Sequence, residues 1–389
     1  MRDAVIVEAV RTPIGKGKAN GALHPVHPVD LLAHSLREVV QRSGIDPALI
    51  DDVIGGVVTQ VGEQAANITR RAALAAGYPE SVPATTVDRQ CGSSQQAIHF
   101  AAQGVIAGAY DIVVAAGLES MSRIPMGSSV AGATDLDGVA FAERYPDGLV
   151  PQGISAELIS ARWNLSRPAM DEFALASHEK AAAATKNGGF EAELAPLSGL
   201  TADEGIRVGS TLDTLAGLRP AYYNPEYAAR FPEIGWNITA ANASQINDGS
   251  AAVLIMTSER AAQLGLRPLA RLHGFAVAGD DPLLMLTAVI PATRKVLQRS
   301  GLRLEDIDLF EVNEAFAAVV LAWAHDTGAD LDRVNVNGGA IALGHPLGAS
   351  GARLTTTLVH AMRERGARYG LQTMCEAGGL SNAMILERL

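Results

Sequence analysis

A repeat with an offset of 257 residues is the feature that most constrains the fold of this chain. The segments that begin at Arg37 and Arg294 share the pattern R-x-V-x-Q-R-S-G, and each continues through a polar stretch into an apolar one. A single long period indicates two copies of one domain, because solenoid proteins repeat at intervals of roughly 20 to 50 residues. We therefore predict a duplicated domain.

The same offset relates a cysteine-bearing turn to a glycine-rich one. Cys91 corresponds to Gly348, within the run G-H-P-L-G-A-S-G that also contains His345. Gly117, which follows an apolar strand pattern, corresponds within one residue to Cys375, which follows another. Duplicated domains usually face each other across a pseudo-twofold axis, and α/β sheets carry their chemistry at the carboxyl ends of strands. We expect both cysteines and the histidine to converge on one cleft.

Strand patterns and helix patterns alternate along most of the chain. The hydrophobic periodicity predicts strands over residues 4–10, 52–58 and 111–117 and helices over residues 29–43 and 64–76. This alternation is typical of an α/β fold.

The alternation breaks in the middle of the first copy, which indicates an insertion. The alternation of strand and helix patterns resumes at Asn247, with an acidic turn followed by an apolar strand pattern. We predict an N-terminal domain over residues 1–120 and 246–267, an inserted loop domain over 121–245 and a C-terminal domain over 268–389.

Composition limits the classes of function. The 389 residues are 48% hydrophobic and 19% charged, which indicates a compact protein of more than one domain. The net charge of −11 gives no general attraction to nucleic acid or to an anionic membrane, so a polyanionic ligand requires a local basic patch. Two cysteines exclude a disulfide framework. With no signal-peptide pattern and no membrane-spanning stretch, they predict a cytoplasmic protein.

Cys91 is the first candidate for chemistry, because it lies between a strand pattern over 84–87 and a helix pattern over 97–102. Unpaired amide groups at a helix N-terminus favour an anion, so we expect a lowered thiol pKa and a reactive thiolate. Position alone is equally compatible with an inert buried cysteine, since cysteine is among the residues most often buried.

Four motifs in a fixed order resemble the thiolase family. They are Cys91-Gly92-Ser93, the run N-E-A-F-A from Asn313, the run G-H-P-L-G from Gly344, and Cys375 before A-G-G. The resemblance covers essentially the whole chain. It implies a five-layered α-β-α-β-α core of two α/β/α domains, with an inserted loop domain that binds CoA and the acyl group.

The resemblance also implies roles for these residues in the cleavage of 3-ketoacyl-CoA. Cys91 would be the nucleophile that becomes acylated, with His345 as its activating base, and Cys375 the acid and base for the departing carbon. One oxyanion hole would combine His345 with a water held by Asn313. The other would use the backbone N–H groups of Cys91 and Ala377.

The implied ligand is coenzyme A, as a co-substrate, with no metal, nicotinamide or flavin. The residues that the resemblance assigns to CoA binding are Arg207, Thr214, Ala221, Ser244 and Phe316. Arg207 would supply local positive charge, although a solvated loop arginine is an equally open interpretation. The family also implies a homodimer or homotetramer, in which residues 121–126 would pack between subunits.

Three departures from the family pattern bear on the acyl group. Ala377 stands where many members have glycine, Pro151-Gln152-Gly153 replaces a common H-M-G, and the segment 222–237 is about ten residues longer than in compact members. Its aromatic residues Tyr223, Tyr227, Phe231 and Trp236 are expected near the pantetheine path. These departures favour a degradative thiolase of β-oxidation that acts on medium, bulky or ring-derived acyl chains.

Three alternatives remain open at this stage. A biosynthetic acetoacetyl-CoA thiolase would use the same residues in the condensing direction. A decarboxylating ketoacyl synthase is disfavoured by Cys375 and by the N-E-A-F run, and a non-catalytic CoA-binding or lipid-binding protein is disfavoured by the presence of both cysteines and His345.

Overall fold

The computed structural model describes residues 2–389, in ten strands and thirteen α-helices. The strands are β1 (Val5–Arg11), β2 (Gly15–Lys16), β3 (Asp52–Gly56), β4 (Ala84–Val87), β5 (Ile112–Ser120), β6 (Asn247–Met256), β7 (Ala270–Gly279), β8 (Leu309–Val312), β9 (Tyr369–Glu376) and β10 (Leu380–Arg388). The helices are α1 (Pro28–Ser43), α2 (Ile68–Ala75), α3 (Ser93–Ala107), α4 (Gly138–Arg144), α5 (Gln152–Arg162), α6 (Arg167–Lys186), α7 (Leu212–Ala216), α8 (Pro225–Arg230), α9 (Ser258–Gln263), α10 (Val289–Ser300), α11 (Ala317–Thr327), α12 (Ala340–Leu343) and α13 (Ser350–Arg365).

The two copies predicted from the repeat have the same strand order. The first copy runs β4-β3-β5-β6-β1 and the second runs β8-β9-β10-β7. The first copy has two parallel pairs, β4-β3 and β3-β5, and the second has one, β8-β9; antiparallel pairs follow in each. The counterpart of β4 in the second copy is reduced to a single parallel bridge between Phe310 and Val334. The copies join edge to edge where β1 pairs with β7 through Val5 and Ile6.

The repeated R-S-G motif ends equivalent helices. Gly44 follows α1 and Gly301 follows α10, and both adopt a left-handed conformation, with φ of 72° and 73°. Glycine reaches this conformation without the steric penalty of a Cβ, so it is the preferred residue for this type of helix end. Each helix is then followed by a strand in a parallel pair: β3 pairs with β5 after α1, and β8 pairs with β9 after α10.

Three hydrophobic clusters divide the molecule into layers. Helices α1 and α2 cover one face of the first copy, and α10 and α11, with α5 and α6, cover the outer face of the second. Helices α3 and α13 lie between the two copies and share a cluster with strands of both. Strands β5 and β6 are buried along their whole length because helices cover both faces, which explains their continuous apolar sequence.

The predicted element boundaries agree with the structure within a few residues, with one larger exception. The helix expected over 64–76 begins only at Ile68, because residues Gly62–Gln64 form a separate 3₁₀ turn. Between β5 and β6 the chain forms α4 to α8, in the region expected to be inserted. Among residues 2–389, no helix has both the length and the apolar character that a bilayer crossing requires.

The central helices approach each other closely at Gly351. A Cβ on this residue would overlap the backbone N of Gln95, and the neighbouring Ala352 N donates a hydrogen bond of 2.9 Å to the Ser94 hydroxyl. This contact fixes the N-terminal end of α13 against the N-terminal end of α3.

We expect Gly351→Ala to lower the free energy of unfolding by about 1–3 kcal/mol, because the added methyl group overpacks this crossing. Chemical denaturation of the two proteins measures the difference. Gly274→Ala is the matched control, because its Cβ would meet its nearest neighbours, Ser300 and Val296, at 3.5 and 3.8 Å, which is ordinary contact. Equal destabilisation by both substitutions would contradict the prediction.

Candidate active site

Three loops and the end of one strand bring the predicted residues to one region between the copies, where Cys375 lies near Cys91 and Asn313, and Cys91 shares a cluster with Leu347 of the His345 loop. Cys91 lies in the turn between β4 and α3, Asn313 follows β8, His345 lies between α12 and α13, and Cys375 is near the end of β9. All four side chains are buried, with exposed fractions between 0 and 5%.

Cys91 lies in a tight turn that ends at the start of α3. Gln90 has a positive φ of 49°, and the N–H groups of Gly92 and Ser93 donate back to the carbonyls of Arg89 and Gln90 at 3.0 Å. The turn places Cys91 two residues before the first helical residue. The cysteine packs in a small apolar cluster, which also contains Leu347 and Met374 of the second copy.

The expected fall in the pKa of Cys91 is wrong. Burial raises the thiol pKa well above its ordinary value, and the nearby Cys375, Glu376 and Glu119 raise it further. The helix end is outweighed because removal of water disfavours the charged form more strongly than amide dipoles favour it. Cys91 is therefore a neutral thiol that needs a base before it can act as a nucleophile.

The hydrogen bonds of His345 identify its free nitrogen. Nδ1 lies 2.6 Å from the Ser350 hydroxyl, and that hydroxyl donates its proton to the Pro346 carbonyl at 2.8 Å. Because the hydroxyl has one proton, Nδ1 must be the donor to Ser350 and carries the ring proton. Nε2 then presents a bare lone pair, and it has no hydrogen-bond partner among the described residues.

The protonation state of His345 suits a base. Burial lowers the pKa of His345 to about 3, and the positive charge of Arg353 lowers it further in the same direction. The imidazole is therefore neutral at physiological pH and can accept a proton through Nε2. The backbone N–H of His345 donates to the Asn247 side chain at 3.0 Å, which fixes the loop against β6.

Asn313 and Cys375 form a second polar pair. The Asn313 side-chain amide lies 3.8 Å from the Cys375 sulfur, and the sulfur lies 3.9 Å from the Asn313 carbonyl. Burial raises the pKa of Cys375 to about 12, while the Asn313 amide and the Ala315 N–H lower it. Asn313 Oδ1 is buried and has no partner within residues 2–389, so it can accept one further hydrogen bond.

Ala377, the predicted oxyanion donor, is half-buried directly after β9. It begins a three-residue turn in which Gly378 and Gly379 have positive φ values of 86° and 78°. The turn is compatible with a Cβ at Ala377, because the left-handed positions are both glycines.

Two buried carboxylates, to which the sequence analysis assigned no role, hold the loops together. Glu119, at the end of β5, accepts hydrogen bonds from Val58 N, Thr59 N, Gly348 N and Gln64 Nε2 at 2.8–3.1 Å. Glu314 accepts from Ser177 of α6, Asn335 and Ile341 N at 2.7–3.1 Å. Glu119 was not recognisable, because nothing in its local pattern distinguishes it from a carboxylate that ends a strand.

A cavity of about 710 Å³ leads to His345. Of the five residues predicted to bind CoA, Arg207, Ala221, Ser244 and Phe316 line it. Thr214 does not, because it lies in the exposed first turn of α7, where it bonds to Thr211.

The cavity also has a basic side that the sequence analysis missed. Lys16 and Lys18 line it together with Arg207, and all three are exposed. The run G-K-G-K from Gly15 was the available signal. A local basic patch of this kind is what the acidic net charge required for a polyanionic ligand.

The expectation for the aromatic residues of the 222–237 segment is wrong. Tyr227, Phe231 and Trp236 pack against the hydrophobic cluster of the second copy, and Tyr223 makes an edge contact with Trp236. None of the four lines the cavity. Tyr227, Phe231 and Trp236 cover apolar surface of the protein's own core instead, and Tyr223 is 62% exposed.

Tyr222 is the aromatic residue of this segment that does line the cavity. Its ring makes an edge contact with Phe316 at 6.0 Å between centroids. The ring also lies so close to Gly153 that a Cβ there would overlap it. Gln152 lines the same wall, so part of the predicted acyl wall does face the cavity.

Comparison with known proteins identifies the family. The family model for the thiolase N-terminal domain matches residues 4–259, and that for the thiolase C-terminal domain matches residues 266–388. This chain belongs to the thiolase family. The predicted family and enzyme class, an acyltransferase of the thiolase type, are therefore confirmed.

Named thiolases resemble the chain over its full length. The steroid 3-ketoacyl-CoA thiolase FadA6 of Mycobacterium tuberculosis is 48% identical over 100% of this chain and 95% of the relative. The 3-ketoacyl-CoA thiolase of Bacillus subtilis is 40% identical over 100% of both. A crystal structure of the Bacillus anthracis acetyl-CoA acetyltransferase has a TM-score of 0.88 at 39% identity, covering 100% of this chain and 99% of that one. The predicted α/β thiolase fold is confirmed.

We expect Ser350→Ala to slow the labelling of Cys91 by iodoacetamide roughly tenfold or more at pH 7. Without the hydroxyl, Nδ1 loses its acceptor, so the proton is no longer held on Nδ1 and the Nε2 base is partly lost. Peptide mass spectrometry over time gives the rate.

Thr356→Val is the control for that substitution, because it removes a hydroxyl from the same helix whose bond is to the Ala352 carbonyl, 2.9 Å away. Labelling of the Ser350 variant at the wild-type rate would show that His345 does not depend on this bond.

Proposed function

We propose that this thiolase cleaves 3-ketoacyl-CoA with a second molecule of CoA, yielding acetyl-CoA and a shortened acyl-CoA. The observation that supports this most directly is the free Nε2 of His345, which faces a cavity with a basic side. The neutral thiol of Cys91 shares an apolar cluster with Leu347, two residues after His345. The names of relatives at 40–48% identity agree with the degradative direction.

In the first half-reaction, Cys91 attacks the ketone carbon while His345 Nε2 takes its proton. The bond between C2 and C3 then breaks, and its electron pair leaves with the acetyl-CoA carbanion. Cys375 donates a proton to that carbanion, and the acyl group remains on Cys91. A neutral thiol suits the donor role, and burial keeps Cys375 protonated until this step.

In the second half-reaction, the Cys375 thiolate takes the proton of the incoming CoA thiol. The CoA sulfur attacks the acyl carbon, and the Cys91 sulfur leaves with the proton held by His345. The chain returns to its starting state. Free coenzyme A is thus the co-substrate of the second half, whereas the first half uses and releases only its thioesters.

Two oxyanion sites would stabilise the charges that develop. We assign the thioester enolate oxygen to His345 together with a water held by Asn313, whose buried Oδ1 can accept a further hydrogen bond. We assign the former ketone oxygen to the N–H groups of Cys91 and Ala377. Both assignments rest on the family resemblance and on the burial of Cys91, His345 and Asn313.

For CoA, we propose that the phosphates lie on the basic side of the cavity, near Lys16, Lys18 and Arg207. The pantetheine would pass Ser244 and Phe316. Their loops are joined, since Ser244 N donates to the Ala315 carbonyl at 2.9 Å. We retain Thr214 and Ala221 as proposed contacts of the outer part of CoA, although Thr214 lies outside the cavity.

We further propose the three-domain division given above and a homodimer or homotetramer. The segment between β5 and α5 supports the assembly, because it exposes Met126, Val130, Leu136 and Val139, with exposed fractions of 45–77%. Exposed apolar side chains in one segment are typical of a protein interface.

The division of labour between the two thiols gives a prediction. Cys375→Ala should still accept an acyl group on Cys91 from simple acyl-CoA. Its rate of carbon–carbon cleavage should fall by roughly a hundredfold or more, because cleavage needs the proton donor and acylation does not. Intact mass measures the first reaction and acetyl-CoA release the second. Cys91→Ser should lose both, since a hydroxyl ionises far less than a thiol. An acyl label on Cys375 would reverse the assigned roles.

The acyl group provides the test of the proposed function. We expect kcat/KM for thiolysis to rise from acetoacetyl-CoA to 3-ketoacyl-CoA thioesters of six or more carbons or with a ring. Each methylene buried against Tyr222, Phe316 and Leu347 contributes about 0.8 kcal/mol, roughly fourfold in affinity, so two should give roughly tenfold or more. Two results together would assign the chain to acetoacetyl-CoA synthesis instead. Acetoacetyl-CoA would be the best substrate of the panel, and the enzyme would condense acetyl-CoA when no other substrate is present.

A further inference from the structure

Glu376 is a buried carboxyl group that lies next to both reactive cysteines. It has no role in the reaction steps proposed above. It follows Cys375 in β9, and its exposed fraction is 0%. Its side chain lies against Gly92, the residue after Cys91, so closely that a Cβ on Gly92 would overlap the carboxyl oxygen Oε1. Glu376 is therefore the neighbour of one cysteine in sequence and of the other in space.

The carboxyl group is only half satisfied by hydrogen bonds. Oε1 accepts from Asn382 N at 3.0 Å, and Oε2 has no partner among the described residues. The ionisable groups that face it are Arg89, in the turn before Cys91, and the two thiols. Burial raises the pKa of Glu376 to about 8, and the positive charge of Arg89 opposes the rise.

We propose that Glu376 is a positioning residue shared by the two cysteines. Its carboxyl group holds the Cys91–Gly92 turn against β9 and, when ionised, opposes the formation of either thiolate. Each thiol then loses its proton only when His345 or the substrate carbanion takes it. The role rests on the proposed function, but the labelling chemistry that tests it needs no turnover.

The sign of the effect follows from like-charge repulsion. Below pH 8 the Glu376 carboxyl is mostly neutral and leaves the thiols unaffected. Above pH 8 it is mostly negative, and a negative charge beside a thiol raises the thiol pKa. Glu119 also faces Cys91, but its four hydrogen bonds are unchanged by substitution of Glu376.

The chain has only two cysteines, so each can be measured alone. In a Cys375→Ala background, the rate of iodoacetamide labelling of Cys91 is followed from pH 6.5 to 10, with and without Glu376→Gln. We expect the two rates to agree within about twofold below pH 7. Above pH 9 we expect faster labelling with Glu376→Gln, by roughly three- to tenfold, since one pKa unit is tenfold in the ratio of thiolate to thiol. A Cys91→Ala background gives the same comparison for Cys375.

Glu311→Gln is the matched control, because Glu311 is another buried carboxyl, with a pKa raised to about 8, that faces Arg353 rather than the thiols. It should leave both labelling curves unchanged above pH 9. Curves for Glu376→Gln that run parallel to the parent at every pH would overturn the electrostatic role. Absence of thiolysis in the wild type, with diverging labelling curves, would overturn the proposed function instead.

A second pair of variants tests the contact itself, including the case in which Glu376→Gln does not fold. Gly92→Ala should lower the labelling rate of Cys91 or the stability of the chain, because the new methyl group displaces the carboxyl group. Gly92→Ala combined with Glu376→Ala should recover part of that loss, since the overlapping atoms are gone. Equal loss in the single and double variants would show that Glu376 does not hold this turn.

Discussion

The crossing of α3 and α13 is the contact on which the site depends. Neither copy of the domain carries all of the reactive groups. The first copy provides one thiol, at the start of α3, and the second copy provides the imidazole, just before α13. Gly351 has no side chain, so the two helix ends approach to backbone distance at Gln95. Glu119 adds a bond from the first copy to Gly348 N, beside the imidazole loop. The site is thus assembled by the same packing that joins the copies.

Burial without countercharge determines the chemistry of the resting site. Water is excluded from both thiols and from His345, so all three are uncharged at neutral pH. As the substrate reacts, protons move between these buried neutral groups. The resting site therefore does not have to stabilise an isolated charge before the substrate binds. The free Nε2 and the unpartnered Asn313 Oδ1 are the polar atoms left ready for this exchange.

Much of this could be predicted from the sequence, because the repeat and the four motifs are local patterns with a fixed order. The duplication led us to expect that Cys91, His345 and Cys375 converge, and the structure places Cys91 near Cys375 and beside the loop of His345. The pKa of Cys91 could not be predicted, since it depends on how much water the folded chain excludes. Glu119 and Lys16 were missed for a related reason: their roles arise from residues distant in the chain. Ser350 lies only five residues after His345, but its bond to Nδ1 depends on how the intervening loop folds. The aromatic residues were misassigned because a hydrophobic pattern does not say which apolar surface a side chain covers.

The positions that correspond to the two cysteines in the opposite copies are Gly348 and, within one residue, Gly117. These glycines lie against each other: a Cβ on Gly117 would overlap the Gly348 carbonyl, and one on Gly348 would lie 2.7 Å from the Gly56 carbonyl. The place where symmetry would allow a second reaction centre is filled by closely packed main chain. A thiol cannot be placed there by one substitution. The two copies are therefore not chemically equivalent: the positions that match the cysteines carry no reactive group and support the reaction centre by close packing.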